Sequence, residues 1–230
     1  MQLIELKGIY FGYDTFQAKV LEDLSLVVNQ GECHCISGAT GCGKSSLLHL
    51  IAGELSRPYE GEMNRHSSLK VGLVMQDPNV QVLRQSVGAE IAFALENLGV
   101  PSAAMLDKVQ QALRQVGLYV SIDTPIELLS LGQKYRLMLA AQLVFEPNLL
   151  LLDEPWTQLD NHGVQELYFV LKDLLRQGVA IVMVEHRPQA FGQLVSHLWQ
   201  LAKGQLSAGL YQPCTSARLK LTTLIRQAED

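Results

Sequence analysis

The run Gly38-Ala39-Thr40-Gly41-Cys42-Gly43-Lys44-Ser45 constrains this chain more than any other stretch. It matches the pattern of Gly, four residues, then Gly-Lys-Ser/Thr, which forms a phosphate-binding loop. The glycines let the backbone curl so that successive N–H groups and a helix start face the β-phosphate. Lys44 then reaches the β- and γ-phosphates, and Ser45 coordinates Mg²⁺. With Ser46 behind it, this run is the expected nucleotide-binding set. Such a loop needs a strand before it and a helix after it. Glu32 to Ser37 reads as a buried strand, and Leu47, Leu48 and Ile51 recur at helical spacing across Lys44 to Ala52.

A phosphate loop specifies a nucleotide but not a purpose, and a second apolar strand narrows the choice. Leu149 to Leu152 ends in Asp153-Glu154-Pro155, which delivers two carboxylates to the carboxyl edge of the sheet, where open α/β folds hold their ligands. Asp153 suits the Mg²⁺ shell, and Glu154 suits polarisation of an attacking water.

Around these two motifs the pattern is α/β. Leu3 to Lys7 and Ser25 to Val28 read as strands of a small N-terminal antiparallel lobe. From Pro78 to about Leu143 the spacing turns helical, with Ile91, Leu95 and Leu98 on one stripe and Met105, Val109, Ala112, Leu113 and Val116 on another. Gly99 and Gly117 fit helix stops, and Pro101 fits the start of the next helix. Buried-strand runs return at Leu149 to Leu152 and Val179 to Val184, separated by a helical stretch from Val164 to Arg176, which predicts a parallel sheet covered on both faces. His197 to Leu201 and Gln205 to Leu210 are weaker strand candidates, and Ala217 to Ala228 reads as a terminal helix. The expected division is therefore one compound domain, with residues 1–76 and 144–230 forming the β lobe and core and 77–143 an inserted helical lobe.

Composition removes several function classes. A formal net charge of −5 argues against a nucleic-acid partner, which would call for a basic face. No apolar run approaches the roughly 18 to 20 residues that span a bilayer, so any membrane role has to come through a partner. Cys33, Cys35, Cys42 and Cys214 lack the spacing and the leader of a secreted disulfide framework. Cys33 and Cys35 flank His34, which invites a metal reading, but the segment reads better as a strand entering a loop.

Leu129-Ser130-Leu131-Gly132-Gln133, upstream of Asp153, resembles the Leu-Ser-Gly-Gly-Gln signature of the ATP-binding cassette (ABC) ATPases. The resemblance implies a P-loop NTPase fold of ABC type in which Ser130, Gly132 and Gln133 cap ATP held by a second subunit, in a homodimer or a heterodimer with a sibling ATPase. A helix running from about Lys134 would present its start to the γ-phosphate, although Ser130 could equally be an ordinary cap. Leu131 departs from the family glycine and would point away from the phosphate or crowd it. Gln76 resembles the Q-loop glutamine, which touches Mg²⁺ and the attacking water. Trp156-Thr157-Gln158-Leu159-Asp160 resembles the D-loop, with Asp160 at the dimer seam, and His186 resembles the switch histidine. Tyr13 matches the aromatic that stacks on adenine, with Tyr10 and Phe16 as alternatives.

Finer likeness comes from Gln76-Asp77-Pro78-Asn79-Val80-Gln81, from the segment Glu90 to Val100 and from Val184-Glu185-His186-Arg187. All three resemble the energy-coupling-factor ATPases of vitamin and metal-ion uptake. That implies an ATPase bound to an integral membrane transporter subunit, placed in the cytoplasm on the inner face of the membrane. A soluble ABC ATPase is the alternative, but the coiled-coil insertion of a repair protein and the tandem cassettes of a translation factor are lacking. A small-molecule kinase would need an arginine-bearing lid, and a non-hydrolysing module would not need Lys44, Glu154 and His186 together.

Overall fold

The computed structural model describes residues 1–13, 19–55, 57–157, 159–186 and 193–209. The stretch Ala217 to Ala228, Phe16, Gln158, Arg187, Leu210 and Cys214 lie outside these. Strands β1 (Gln2–Phe11), β2 (Leu21–Asn29) and β4 (Glu60–Arg65) make an antiparallel sheet in the order β2-β1-β4. Strands β3 (Cys33–Ser37), β5 (Val71–Val74), β6 (Leu149–Asp153), β7 (Ala180–Val184), β8 (His197–Ala202) and β9 (Gln205–Ala208) make the second sheet. Its order is β5-β6-β7-β3-β8-β9, parallel except for the antiparallel β8–β9 hairpin.

The apolar runs of the central strands have a direct cause. Side chains alternate between faces, so a strand covered on both sides must be apolar at every position. In β6, Leu149 and Leu151 join a core shared with Leu47, Leu48 and Ile51 of α1 (Lys44–Ala52) and with β1 and β2. Leu150 and Leu152 face the opposite way, into a core with Leu137 and Leu139 of α4 (Leu131–Leu143) and Leu167 and Leu171 of α5 (Asn161–Arg176). Each such leucine contributes about 1.5–3 kcal/mol by leaving water. The ends of β6, β7 and β3 are thereby held rigidly at one edge.

Helices α2 (Val87–Asn97), α3 (Ser102–Gln115) and α4 lie between β5 and β6 in the chain, and α2 and α3 end just ahead of Gly99 and Gly117. Strands β1 and β2 run longer than the expected Leu3 to Lys7 and Ser25 to Val28, and the structure departs from the sequence pattern in further places. Leu98 is 47% exposed rather than part of the α2 stripe, because it caps the helix where the chain turns away. Helix α4 starts at Leu131, not Lys134, since Ser130 and Gln133 form a capping box. Helix α5 starts at Asn161, three residues ahead of Val164, because Asp160 caps it. Strand β4 carries no strand pattern of its own.

Candidate functional site

The phosphate loop leaves β3 at Ser37 and enters α1 at Lys44. Two glycines are required there. A Cβ on Gly38 would lie 2.3 Å from the Leu201 carbonyl oxygen, and Gly43 takes φ +105° with a Cβ position 2.9 Å from Val20. The buried Lys44 Nζ donates to the carbonyls of Gly38 and Ala39, each at 3.0 Å, so its ammonium is curled over the loop it serves. Thr40 and Gly41 stand exposed at the loop tip. Cys42 N donates to Ala39 O at 3.2 Å, and its thiol lies beside Gly38.

Asp153 emerges at the end of β6 and accepts a hydrogen bond from Ser45. Burial pushes its carboxyl above the ordinary range; the Ser45 bond opposes this, and the charge of Glu154 adds to it. Two hard oxygen donors already paired at the loop, one of them a carboxylate, form a donor set that fits Mg²⁺.

Glu154 adopts φ +45°, a left-handed conformation uncommon for a side-chain-bearing residue. Its Oε1 lies 2.8 Å from His186 Nε2, and its Oε2 accepts from Gln76 Nε2 at 2.7 Å and from Thr157 Oγ1 at 3.2 Å. The structure therefore brings Gln76, Glu154 and His186 into direct contact, although they come from three separate strand ends. Thr157 was not singled out from the sequence, and a threonine two residues beyond a proline gives no signal of its own. Glu185, buried next to His186, accepts from Trp156 N at 3.4 Å and His186 N at 3.1 Å, which ties the segment after Glu154 to the end of β7.

The other expected residues lie around this cluster. The Tyr13 hydroxyl is 2.9 Å from Ser46 Oγ on α1, and its half-exposed ring stands edge-on to Phe11. Tyr10 instead carries Lys19 over its ring at 4.4 Å. Ser130 and Gln133 bond each other at the start of α4, with Ser130 N donating to Gln133 Oε1 at 2.9 Å and Gln133 N to Ser130 Oγ at 3.2 Å. A Cβ on Gly132 would meet Leu159 at 2.8 Å. Asp160 accepts from Gly163 N at 2.8 Å. Among the described residues the signature side chains make no hydrogen bond to the phosphate loop of their own chain.

His34 is held by hydrogen bonds at both ring nitrogens. Glu32, His34 and His197 have ligand atoms within 4.8 Å of one another. A tryptophan N–H only donates, so Trp199 Nε1 at 3.0 Å from His34 Nδ1 makes that nitrogen an acceptor and puts the proton on Nε2, which donates to Glu32 at 2.9 Å. Neither ring nitrogen of His34 offers a lone pair to a metal.

Comparison with known proteins adds the following. The ABC transporter family model matches residues 21–157. A putative ABC transporter ATP-binding protein of Pyrococcus abyssi is 36% identical over 81% of this chain and 72% of its own length. A putative HMP/thiamine import ATP-binding protein, YkoD of Bacillus subtilis, is 32% identical over 81% of this chain and 37% of its own length. The chain spans about two-fifths of the length of several curated relatives that it matches. Among solved structures, cbiO1 from Clostridium perfringens, part of the ABC transporter complex cbiONQ, superposes with a TM-score of 0.80 at 25% identity, covering 99% of this chain and 94% of that one.

Proposed function

Because the chain belongs to the ABC transporter family, we propose that it is the ATP-hydrolysing subunit of a membrane importer of energy-coupling-factor type, serving a vitamin or transition-metal ion. The observation that carries this reading is the Gln76–Glu154–His186 cluster beside the phosphate loop. The loop N–H groups and Lys44 hold the triphosphate, and the ring of Tyr13 takes the adenine. Ser45, Gln76 and Asp153 would hold Mg²⁺, which supplies charge neutralisation on the phosphate oxygens. Glu154 orients the attacking water and accepts its proton, once binding has drawn Gln76 and His186 from its carboxylate toward the nucleotide. The water oxygen bonds the γ-phosphorus, the bond to the β–γ bridging oxygen breaks, and ADP and phosphate leave. His186 Nε2 donates to the γ-phosphoryl oxygens as charge develops there.

Ser130 and Gln133 bond each other at the helix start, and among the described residues the signature makes no side-chain hydrogen bond to its own phosphate loop, which suits capping of a second subunit's ATP by Ser130, Gly132 and Gln133, with Asp160 at the seam. No helix among the described residues is long and apolar enough to cross a bilayer. One feature supports a partner embedded in the membrane. An open groove of about 740 Å³, lined in part by Asn79, Val82, Arg84, Glu127 and Lys134, lies next in the chain to Val80, Leu83 and Leu128, which are 66%, 62% and 72% exposed. The likeness to YkoD, whose name gives it as an import ATP-binding protein, favours import over export.

Extraction from membranes in mild detergent tests the reading. A hydrophobic membrane protein is expected to co-purify with the chain, and Lys44→Ala is expected to abolish ATP turnover without lowering the melting temperature. Recovery of the chain alone from every extract would favour the soluble ATPase, and a folded, active Lys44→Ala variant would overturn the assignment of the loop.

A further inference from the structure

Asn79 and Lys134 join two parts of the molecule that lie on separate elements. The segment from Gln76 to Arg84 is clamped at both ends. Gln81 accepts from Met75 N at 2.8 Å and donates to Leu73 O at 3.1 Å, while the buried Glu90 carboxylate takes Leu83 N at 3.0 Å and Arg84 N at 2.7 Å. Asn79 stands between these clamps, and its amide has one possible orientation. Its Nδ2 and backbone N both donate to Asp77 Oδ1, at 2.8 and 2.9 Å, which leaves Oδ1 to accept from Lys134 Nζ at 2.9 Å. A flipped amide would set NH₂ against an ammonium. Among the described residues this is the one hydrogen bond that joins the segment to α4.

The two ends of this link touch different chemistry. Asp77 follows Gln76, whose side chain holds Glu154. Lys134 follows Gln133 of the capping box, and its N–H makes the first turn of α4 by donating to Ser130 O at 2.9 Å. The bond lies at the surface, where such pairs contribute little to stability, so its consequence is geometric. We infer that Asn79 and Lys134 are positioning residues that transmit the state of Gln76, set by the nucleotide on its own phosphate loop, to the pose of the Ser130 end of α4. This rests on the composite-site reading given above and deepens it. Release of Gln76 from Glu154 on nucleotide binding moves Asp77 and Asn79, and the ammonium of Lys134 carries that movement to the helix start which caps the second ATP. One site then senses the other through a path inside a single subunit.

A double-mutant cycle tests this on the full chain, purified with whatever proteins accompany it. Asn79→Ala, Lys134→Met and the double variant are compared for turnover, for ATP affinity and for the Hill coefficient in ATP. Each single change is expected to lower kcat about three- to tenfold, and the double no further than the larger single, as for residues sharing one interaction. ATP affinity should stay within about twofold, because neither residue touches the nucleotide, and the Hill coefficient should fall toward one. Lys134→Arg keeps a donor in reach and is expected to retain most of the wild-type rate. Multiplicative losses in the double variant, wild-type turnover in both singles, a loss confined to ATP affinity or melting temperature, or a Lys134→Arg variant as slow as Lys134→Met would each overturn the inference. A wild-type protein without ATPase activity would refute the proposed function instead, so the two failures are distinct.

Discussion

Substitution of Glu154 by glutamine separates the chemical role of the carboxylate from its structural one. Three donors converge on it: Gln76 and Thr157 on Oε2, and His186 on Oε1. A glutamine can keep its oxygen toward Gln76 and Thr157 and turn its NH₂ toward His186, whose Nε2 then serves as acceptor in the other tautomer. Every polar group stays satisfied, so the melting temperature should barely change. The loss falls on proton transfer. Removing a positioned general base costs about 10²- to 10⁴-fold, or roughly 2.7–5.5 kcal/mol of transition-state stabilisation at 1.36 kcal/mol per decade. Loss of the neighbouring charge also relieves one of the causes that raise Asp153, so binding of Mg²⁺ and ATP should survive. Uncleaved ATP held between two subunits stabilises the closed dimer by about 2.7 kcal/mol at a hundredfold excess over its dissociation constant. Turnover assays, with size exclusion and light scattering in the presence and absence of ATP and Mg²⁺, read both effects. A Glu154→Gln variant that retains turnover within about threefold would refute the base assignment. One that loses hydrolysis yet remains monomeric in ATP, alone and with any sibling ATPase, would refute the composite dimer while sparing the base.

Tyr13→Ala should weaken ATP binding about two- to twelvefold, the equivalent of about 0.5–1.5 kcal/mol for one aromatic contact; unchanged affinity in a calorimetric titration would move the stacking role to Tyr10 or Phe16. Leu131→Gly removes a side chain that is 42% exposed beside the Ser130 cap, and should raise turnover if that side chain crowds the second ATP. Its cost would be a slightly lower melting temperature from glycine in the first turn; equal or lower activity would mean that the backbone accommodates leucine. Burial holds the His34 pKa below its ordinary value despite the opposing Glu32 bond, so below about pH 6.5 the unfolded chain binds the extra proton and stability falls as pH drops. Melting curves from pH 8 to 5 should show this slope, and His34→Gln should flatten it. Burial alone would raise Glu32, but hydrogen bonds from Asn29 and His34 carry it down to about 2, so its contribution is lost only below its ordinary 4.5.

What the sequence discloses depends on whether the determining interactions are local. The phosphate loop is legible because its turn needs glycines at set intervals, and the core strands because a strand covered on both faces must be apolar throughout. Strand β4 shows the opposite case. Its residues read Glu-Gly-Glu-Met-Asn-Arg, only Met63 is even half-buried, and it is a strand because β1 offers it a partner. Helix α4 starts three residues ahead of the expected Lys134 because the Ser130–Gln133 capping box, not apolar spacing, sets its first turn. At the site, Gln76 and Glu154 meet across a separation of 78 residues, so only the order of motifs along the chain pointed to both. The left-handed backbone of Glu154 and the Thr157 bond, both made within one turn after β6, and the Asn79–Lys134 link, made where two elements meet, leave no periodic trace.

Strand β3 carries the phosphate loop, yet both of its neighbours, β7 and β8, come from the far end of the chain, and Gly38 itself packs against Leu201. A ribosome adding about 5–20 residues each second needs about 8–33 s to pass from Ser37 to the end of β8 at Ala202. Until β7 is made the loop has its glycines and its lysine but no strand beside β3, and until β8 is made β3 has only one of its two neighbours. The nascent chain therefore gains affinity for ATP in one late step rather than gradually, and the nucleotide rewards only a chain synthesised past β8.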